Sequence, residues 1–177
     1  MSKGIVVFGA NGSGKTTVGR ELARTLHFKH MDVEDYYFEE AEIPYSRPCS
    51  KDEVIGRMLD DIEKCSSFVL SAVTGDFGEA ITSMYEFAIF LSVPLDTRIE
   101  RVKRRAEEQY GKRVWVGGDM YEQECKFAEF VETRNLSVID DWAKTLTCPV
   151  VRLDGTKAIS ENIRLIVEQY KFFASDK

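Results

Sequence analysis

The 177-residue sequence has little of what would commit it to a membrane, a metal cage or a disulfide framework. No apolar run approaches the roughly 18 residues of a helical membrane span. Histidine occurs only at His27 and His30. The four cysteines, Cys49, Cys65, Cys125 and Cys148, are too scattered to supply the paired ligands of a zinc site, so packed, reduced thiols are expected. Positive charge is not in excess. With 24 Lys+Arg against 30 Asp+Glu the formal net charge is -6, which offers no general attraction to nucleic acid or anionic lipid. No basic–aromatic platform for nucleic acid is present either. Prolines number four, with no proline-rich linker, repeat or low-complexity tract. Met1-Ser2-Lys3-Gly4 leads into a short apolar run without a cleavage-site pattern, so a cytoplasmic location is expected.

What is present is an ordinary globular mix, 44% apolar and 31% charged, of a length that predicts one domain over residues 1–177. Short β-rich apolar runs alternate with helical stretches, which predicts βα units and a parallel sheet. Ile5-Val6-Val7-Phe8 reads as a buried strand. Further strands are expected at Phe28–Met31, Phe68–Ser71, Phe87–Val93 and Pro149–Leu153. Helices are expected at Lys15–Leu26, from the capping box Ser50-Lys51-Asp52-Glu53 to about Lys64, at Pro94–Tyr110 and at Ile159–Tyr170. On the Pro94–Tyr110 helix, Leu95, Ile99 and Val102 are expected inward. Tyr121–Leu146 is periodic but long, with a break expected near Asn135. Val33–Pro48 reads as loop or irregular helix, and Gly111–Asp119 as a glycine-bearing loop. Asp119 and Glu122 resemble a capping pair for the helix that follows, and Thr156 is placed to cap the last helix. Tyr36, Tyr37 and Phe38 suit core packing better than ligand stacking.

Gly9-Ala10-Asn11-Gly12-Ser13-Gly14-Lys15-Thr16 fits GxxxxGK[ST] at every fixed position, between a buried strand and an amphipathic helix. The residue types follow from phosphate chemistry. Glycines let backbone N–H groups turn inward, and the helix N-terminus adds partial positive charge. Lys15 is a point charge for β- and γ-phosphates, and the Thr16 hydroxyl is a hard ligand for Mg²⁺. The loop therefore predicts binding of a nucleoside triphosphate, with Gly9, Asn11, Gly12, Ser13, Gly14, Lys15, Thr16 and Thr17 as contacts. Neither DxxG nor NKxD is found, which argues against a GTPase. Phe68-Val69-Leu70 runs into Ser71-Ala72 rather than the Asp-Glu of a mechanical AAA-type ATPase, and no room remains for that class's helical lid domain.

The phosphate loop and the order of elements resemble the P-loop small-molecule kinases, the group of nucleoside-monophosphate kinases and shikimate kinase. The resemblance implies a three-layer α/β/α P-loop NTPase fold with a five-stranded parallel sheet, order 2-3-1-4-5. It also implies a small lid near residues 110–120 and ATP with Mg²⁺ as cofactors. It places the phosphate acceptor beside strands 2 and 3. There Asp32 and Glu34 have the spacing of that family's acidic pair, and Asp35 follows. Asp32 is a candidate for holding Mg²⁺ with Thr16 or for taking the proton of an acceptor hydroxyl. Thr74, Gly75 and Asp76 occupy the family's acceptor loop without closely matching its form. Arg101 and Arg105, four apart on one helical face, are candidates for base stacking and phosphate contact. Arg113 lies in the lid loop, and Lys15, Asp32, Arg105 and Arg113 form the expected catalytic set. Arg134 and Arg57 are candidates for the acceptor, and Gly155, Thr156 and Lys157 for the nucleotide base. For each arginine the plain alternative is a solvated ion pair: Glu100, Glu107 or Glu108 for the first two, and Glu129, Glu132 or Asp141 for Arg134.

The function this implies is transfer of the γ-phosphoryl of ATP to a small-molecule acceptor. The alternative is an ATPase or nucleotide sensor acting on a protein partner, in which side chains fill the acceptor region. No residue pattern names the acceptor or the oligomeric state.

Overall fold

The computed structural model describes residues 2–38 and 47–175. Five parallel strands form the sheet: β1 (Lys3–Phe8), β2 (Lys29–Asp32), β3 (Ser67–Ala72), β4 (Tyr85–Ser92) and β5 (Val150–Asp154). Their order is β2-β3-β1-β4-β5, as the resemblance implies. β1 sits between β3 and β4, with Val7 opposite Ser71 on one side and Ile89 on the other.

The unbroken apolar run of β1 is explained by helices on both faces. Ile5 and Val7 meet Val18 and Leu22 of α1 (Lys15–Leu26) and Ile163 and Ile166 of α8 (Ile159–Ser175). Val6 and Phe8 meet Val54, Met58 and Ile62 of α3 (Lys51–Glu63) and Ile139 and Ala143 of α7 (Ser137–Ala143). The α3 capping box forms as its sequence predicts, with Ser50 and Glu53 satisfying each other's backbone N–H groups. The expected break near Asn135 separates α6 (Tyr121–Thr133) from α7.

Several local expectations are corrected. The described part of Val33–Pro48 holds a short helix, α2 (Glu34–Tyr37), within the loop or irregular helix expected there, whereas a further short helix, α4 (Glu79–Thr82), was not expected. The acidic run Glu39, Glu40 and Glu42 lies outside the described residues. On α5 (Leu95–Tyr110) the inward side chains include Arg98, whereas Leu95 is exposed. Met120, not Asp119, caps α6, because Asp119 is engaged by Arg113. Thr156 does not cap α8; its N–H and hydroxyl both donate to Asp154 Oδ1 in a local turn. No helix among the described residues is long and apolar enough to cross a membrane.

Candidate active site

The phosphate loop leaves β1 at Gly9 and enters α1 at Lys15. Gly12 and Gly14 have φ of 79° and 92°, values that L side chains rarely adopt, and they turn the loop backbone around a concavity. Gly12 has a second reason to lack a side chain: a Cβ there would lie 2.5 Å from the Arg98 carbonyl oxygen. The buried Arg98 holds the loop from behind, donating from Nε to Val93 O (3.2 Å) and from Nη1 to Asn11 O (3.3 Å). Sequence reading missed it because the inward face of α5 was expected from apolar residues alone.

Beneath the loop, Ser71 of β3 donates to Lys15 O (3.2 Å) and is itself bonded by His30 Nε2 (3.0 Å). Since the hydroxyl proton is spent on Lys15, the His30 ring supplies the proton of the second bond. Burial lowers the His30 pKa below the ordinary histidine value. Gly19 lets α1 approach this pair, since a Cβ would fall 2.2 Å from Ser71 Oγ.

Lys15 Nζ donates to Ala10 O (3.1 Å). Loss of solvation around the ammonium lowers its pKa to about 8, against the attraction of Glu34 and Asp32 and with repulsion from Arg105 and Arg134. An ammonium so poised gains a strong partner when phosphate arrives.

A cavity of about 610 Å³ opens over the loop. It is lined by Asn11 through Val18, Asp32, Glu34, Arg101, Arg104, Arg105, Gly155 and Lys157, and also by Arg20 and Asn162, which the sequence did not single out. Gly9 lies behind it, packed on Leu91 O where a Cβ would be 2.5 Å away. Arg101 spans the loop and the turn after β5, donating to Ser13 O (3.4 Å) and Gly155 O (3.0 Å). The Asn162 side chain is buried and donates to Asp154 O (3.0 Å), fixing the same turn. Among the described residues Arg101, Arg105 and Arg134 make no salt bridge, so the solvated-pair alternative fails for all three. It holds for the neighbouring Arg104, which reaches Glu108 at 3.8 Å.

A second cavity, of about 560 Å³, adjoins the first. Asn11, Glu34, Arg105 and Gln109 line both and so mark the shared rim. Arg134 donates to Asn11 Oδ1 (3.0 Å), and its guanidinium lies over the Phe130 ring at 5.3 Å. The rest of the wall comes from α5 (Ala106, Tyr110), from α6 (Gln123, Glu124, Phe127, Phe130), from Val73 and Thr74, and from Val33, Tyr37 and Phe38. Sequence reading missed the α6 wall. Its signal was present: Gln123, Phe127, Phe130 and Arg134 recur at one-face helical spacing. Tyr37 and Phe38, assigned above to packing, also line this cavity.

Six further expected site residues do not reach either cavity. Arg57 is spent on the α2 backbone, donating to Tyr36 O and Asp35 O at 3.1 Å each. Asp35 is exposed on α2, its pKa raised by desolvation and by Asp32. Gly75 is buried under Tyr85 and Trp142, accepting the Tyr85 hydroxyl at 3.0 Å, and Asp76 points to solvent. Arg113 forks onto Asp119 with a shortest contact of 2.7 Å, within the 3₁₀ turn and loop that follow α5. Thr156 also stays outside, held by Asp154.

The comparisons with known proteins agree with this geometry. Residues 5–129 match a family model described as an AAA domain. The chain belongs to the AAA domain family. The AAA name is that of the class set aside above on its strand ending. The match covers the P-loop core, in which β3 of this chain ends in Ser71 and Ala72 rather than in an acidic pair. Relatives of this AAA domain protein include YqaC of Bacillus subtilis (strain 168), described as uncharacterised, 28% identical over 95% of this chain and 97% of that one. A shikimate kinase of Novosphingobium aromaticivorans is 31% identical over 59% of this chain and 62% of its own. Among solved structures, a deoxyadenosine kinase from M. mycoides with bound dATP superposes with a TM-score of 0.58 at 14% identity, covering 94% of this chain and 98% of that one. A gluconokinase from Sinorhizobium meliloti 1021 gives 0.52 at 16% identity, covering 98% and 97%. The fold is thus that of P-loop small-molecule kinases.

Proposed function

We propose that the protein is a P-loop kinase that moves the γ-phosphoryl of ATP to the hydroxyl of a small molecule. The observation that carries the reading is the second cavity, which opens onto the phosphate-loop cavity across a rim of Asn11, Glu34 and Arg105. An ATPase or protein-directed sensor has no use for a small-ligand cavity there, and in that alternative side chains would fill it. The kinase names of the shikimate kinase relative and of both structural neighbours support the same reading.

In this reading the triphosphate lies along the loop, with Lys15 and Arg105 against the transferring group and Arg134 across the rim. The acceptor oxygen attacks the γ-phosphorus, the bond from phosphorus to the ADP oxygen breaks, and ADP leaves with the electron pair. Glu34 lines both cavities whereas Asp32 lines only the first, so Glu34 is the carboxylate set to take the hydroxyl proton. The Thr16 hydroxyl and the Asp32 carboxylate are hard oxygen donors in the first cavity. Such a pair fits Mg²⁺ held jointly with substrate phosphates, and no cluster of three or more His, Cys, Asp or Glu ligands exists among the described residues to make a separate cage. The ion would supply charge neutralisation at the phosphates. Most of the rate then comes from positioning and fixed charge.

The test is Mg²⁺-dependent ADP release from ATP with a panel of nucleosides, nucleoside monophosphates, shikimate and gluconate, using Lys15→Ala as the blank. Stimulation of tenfold or more by one class, about 1.4 kcal/mol of barrier, is expected. Lys15-dependent turnover indifferent to every acceptor would move the assignment to an ATPase.

A further inference from the structure

The two cavities differ in charge in a way that bears on the acceptor. In the second, Glu34 and Glu124 balance Arg105 and Arg134, and no lysine or histidine lines it among the described residues. Both arginines belong to the phosphate end: Arg105 also lines the first cavity, and Arg134 is bonded to Asn11 of the phosphate loop. Gln123 lies 11 residues before Arg134 along α6, about 16 Å at helical rise. Beyond Arg105, whose charge also acts on Glu124, and Arg134, which lies over Phe130, the cavity has no cation among its lining residues.

The rest of the wall is rings and amides. Phe127 and Phe130 lie 6.4 Å apart with planes at 27°, and Tyr37, Phe38 and Tyr110 complete the apolar wall. Gln123 and Glu124 add polar groups to the wall, and Gln109 stands at the shared rim. Desolvation raises the Glu124 carboxyl above its ordinary range, the mark of a site with restricted water. A polyhydroxylated acid would leave its carboxylate unpaired against Glu124 and its hydroxyls against rings, which is costly. A nucleoside monophosphate would need cations beyond the two that serve the γ-phosphoryl. A planar heterocycle with donor and acceptor edges matches rings plus glutamine and glutamate, and the volume is that of a small-ligand pocket.

We infer that the second cavity holds an uncharged nucleoside, its base against the α5–α6 rings and its hydroxyl at the Glu34–Arg105 rim. The inference rests on the kinase reading for the step that follows binding, but the binding itself is separable. Transfer would form one bond from the nucleoside oxygen to phosphorus and break that to ADP, with the proton passing to Glu34.

The experiment is calorimetric titration of the protein saturated with ADP, using adenosine, thymidine, their 5′-monophosphates and gluconate as titrants. One nucleoside is expected to bind at least tenfold more tightly than its monophosphate or gluconate. Phe127→Ala is expected to weaken that binding at least tenfold while ADP affinity holds, and Phe127→Leu, which keeps an apolar side chain of similar bulk, to weaken it in the same direction. A monophosphate or gluconate that binds as tightly, no binding by any titrant, or nucleoside binding untouched by both variants would overturn the inference. A nucleoside that binds as expected but is not phosphorylated when ATP replaces ADP would sustain the pocket assignment and sink the kinase reading instead.

Discussion

The two adjoining cavities are built from opposite chemistry. The first gathers Lys15, Arg20, Arg101, Arg104, Arg105 and Lys157 against Asp32, Glu34 and Glu108, and its floor is backbone held in shape by glycines. The second balances two arginines with two glutamates inside a wall of rings. A surplus of cations around exposed backbone N–H groups suits a polyphosphate and little else. A neutral aromatic wall selects by shape and by a few hydrogen bonds. On the proposed kinase reading, the phosphate donor's site is generic in its chemistry, and the acceptor's site carries the individuality of this chain.

Substitutions can pull the two apart. Lys15→Ala is expected to have the largest effect, lowering turnover about 10²–10³-fold with the fold intact by circular dichroism, because it removes the main charge at the transferring group. Arg134→Met acts at the rim. Because Arg134 serves the transferring group in this reading, the variant is expected to reduce kcat about 10- to 100-fold, the cost of one charge-assisted bond, while the KM for ATP stays within about threefold. A KM for ATP raised as far as kcat is lowered would mean that Arg134 binds the nucleotide rather than acting at the rim.

The pH dependence sharpens the same division. Lys15 in the free protein titrates near 8, and phosphate binding favours its charged form. ATP affinity should thus be full below that pH and fall as pH rises through it, approaching one decade per unit, as read by titration between pH 7 and 10. Affinity for an uncharged acceptor should not follow this curve.

Gly19→Ala probes the floor of the first cavity. Crowding Ser71 and His30 should cost about 1–3 kcal/mol, partly offset by about 1 kcal/mol of helix propensity. The net result expected is a melting temperature lower by a few degrees; an unchanged or raised one would show that α1 shifts freely over the sheet. The smallest effect is expected from Asp119→Asn. The Arg113–Asp119 pair is exposed and outside both cavities, so a melting scan should not separate the variant from the wild type.

How much of this was legible in the sequence follows the same contrast. The phosphate loop is local: eight consecutive residues carry the strand end, the turn and the helix start. β1, β3 and β4 were legible because burial on both faces makes them near-continuous apolar runs, and the break near Asn135 because a 26-residue periodic stretch is long for one helix. The second cavity is assembled from α2, the loop after β3, α5 and α6, and no local run announces it. Its aromatic residues looked like core, since a ring that faces a cavity and a ring that faces a neighbour obey the same helical spacing. Charged side chains misled in both directions. Arg98 is buried because two backbone carbonyls receive it, whereas Arg57 and Arg113, placed at a site by position, are spent on the α2 backbone and on Asp119.

The central claim, that the second cavity receives the phosphoryl group held in the first, is tested most directly by following the γ-phosphorus itself. Phosphorus NMR of ATP, Mg²⁺, protein and the nucleoside panel should show a new phosphate monoester growing with ADP, absent with Lys15→Ala. Inorganic phosphate appearing alone, at a Lys15-dependent rate that no acceptor alters, would contradict it.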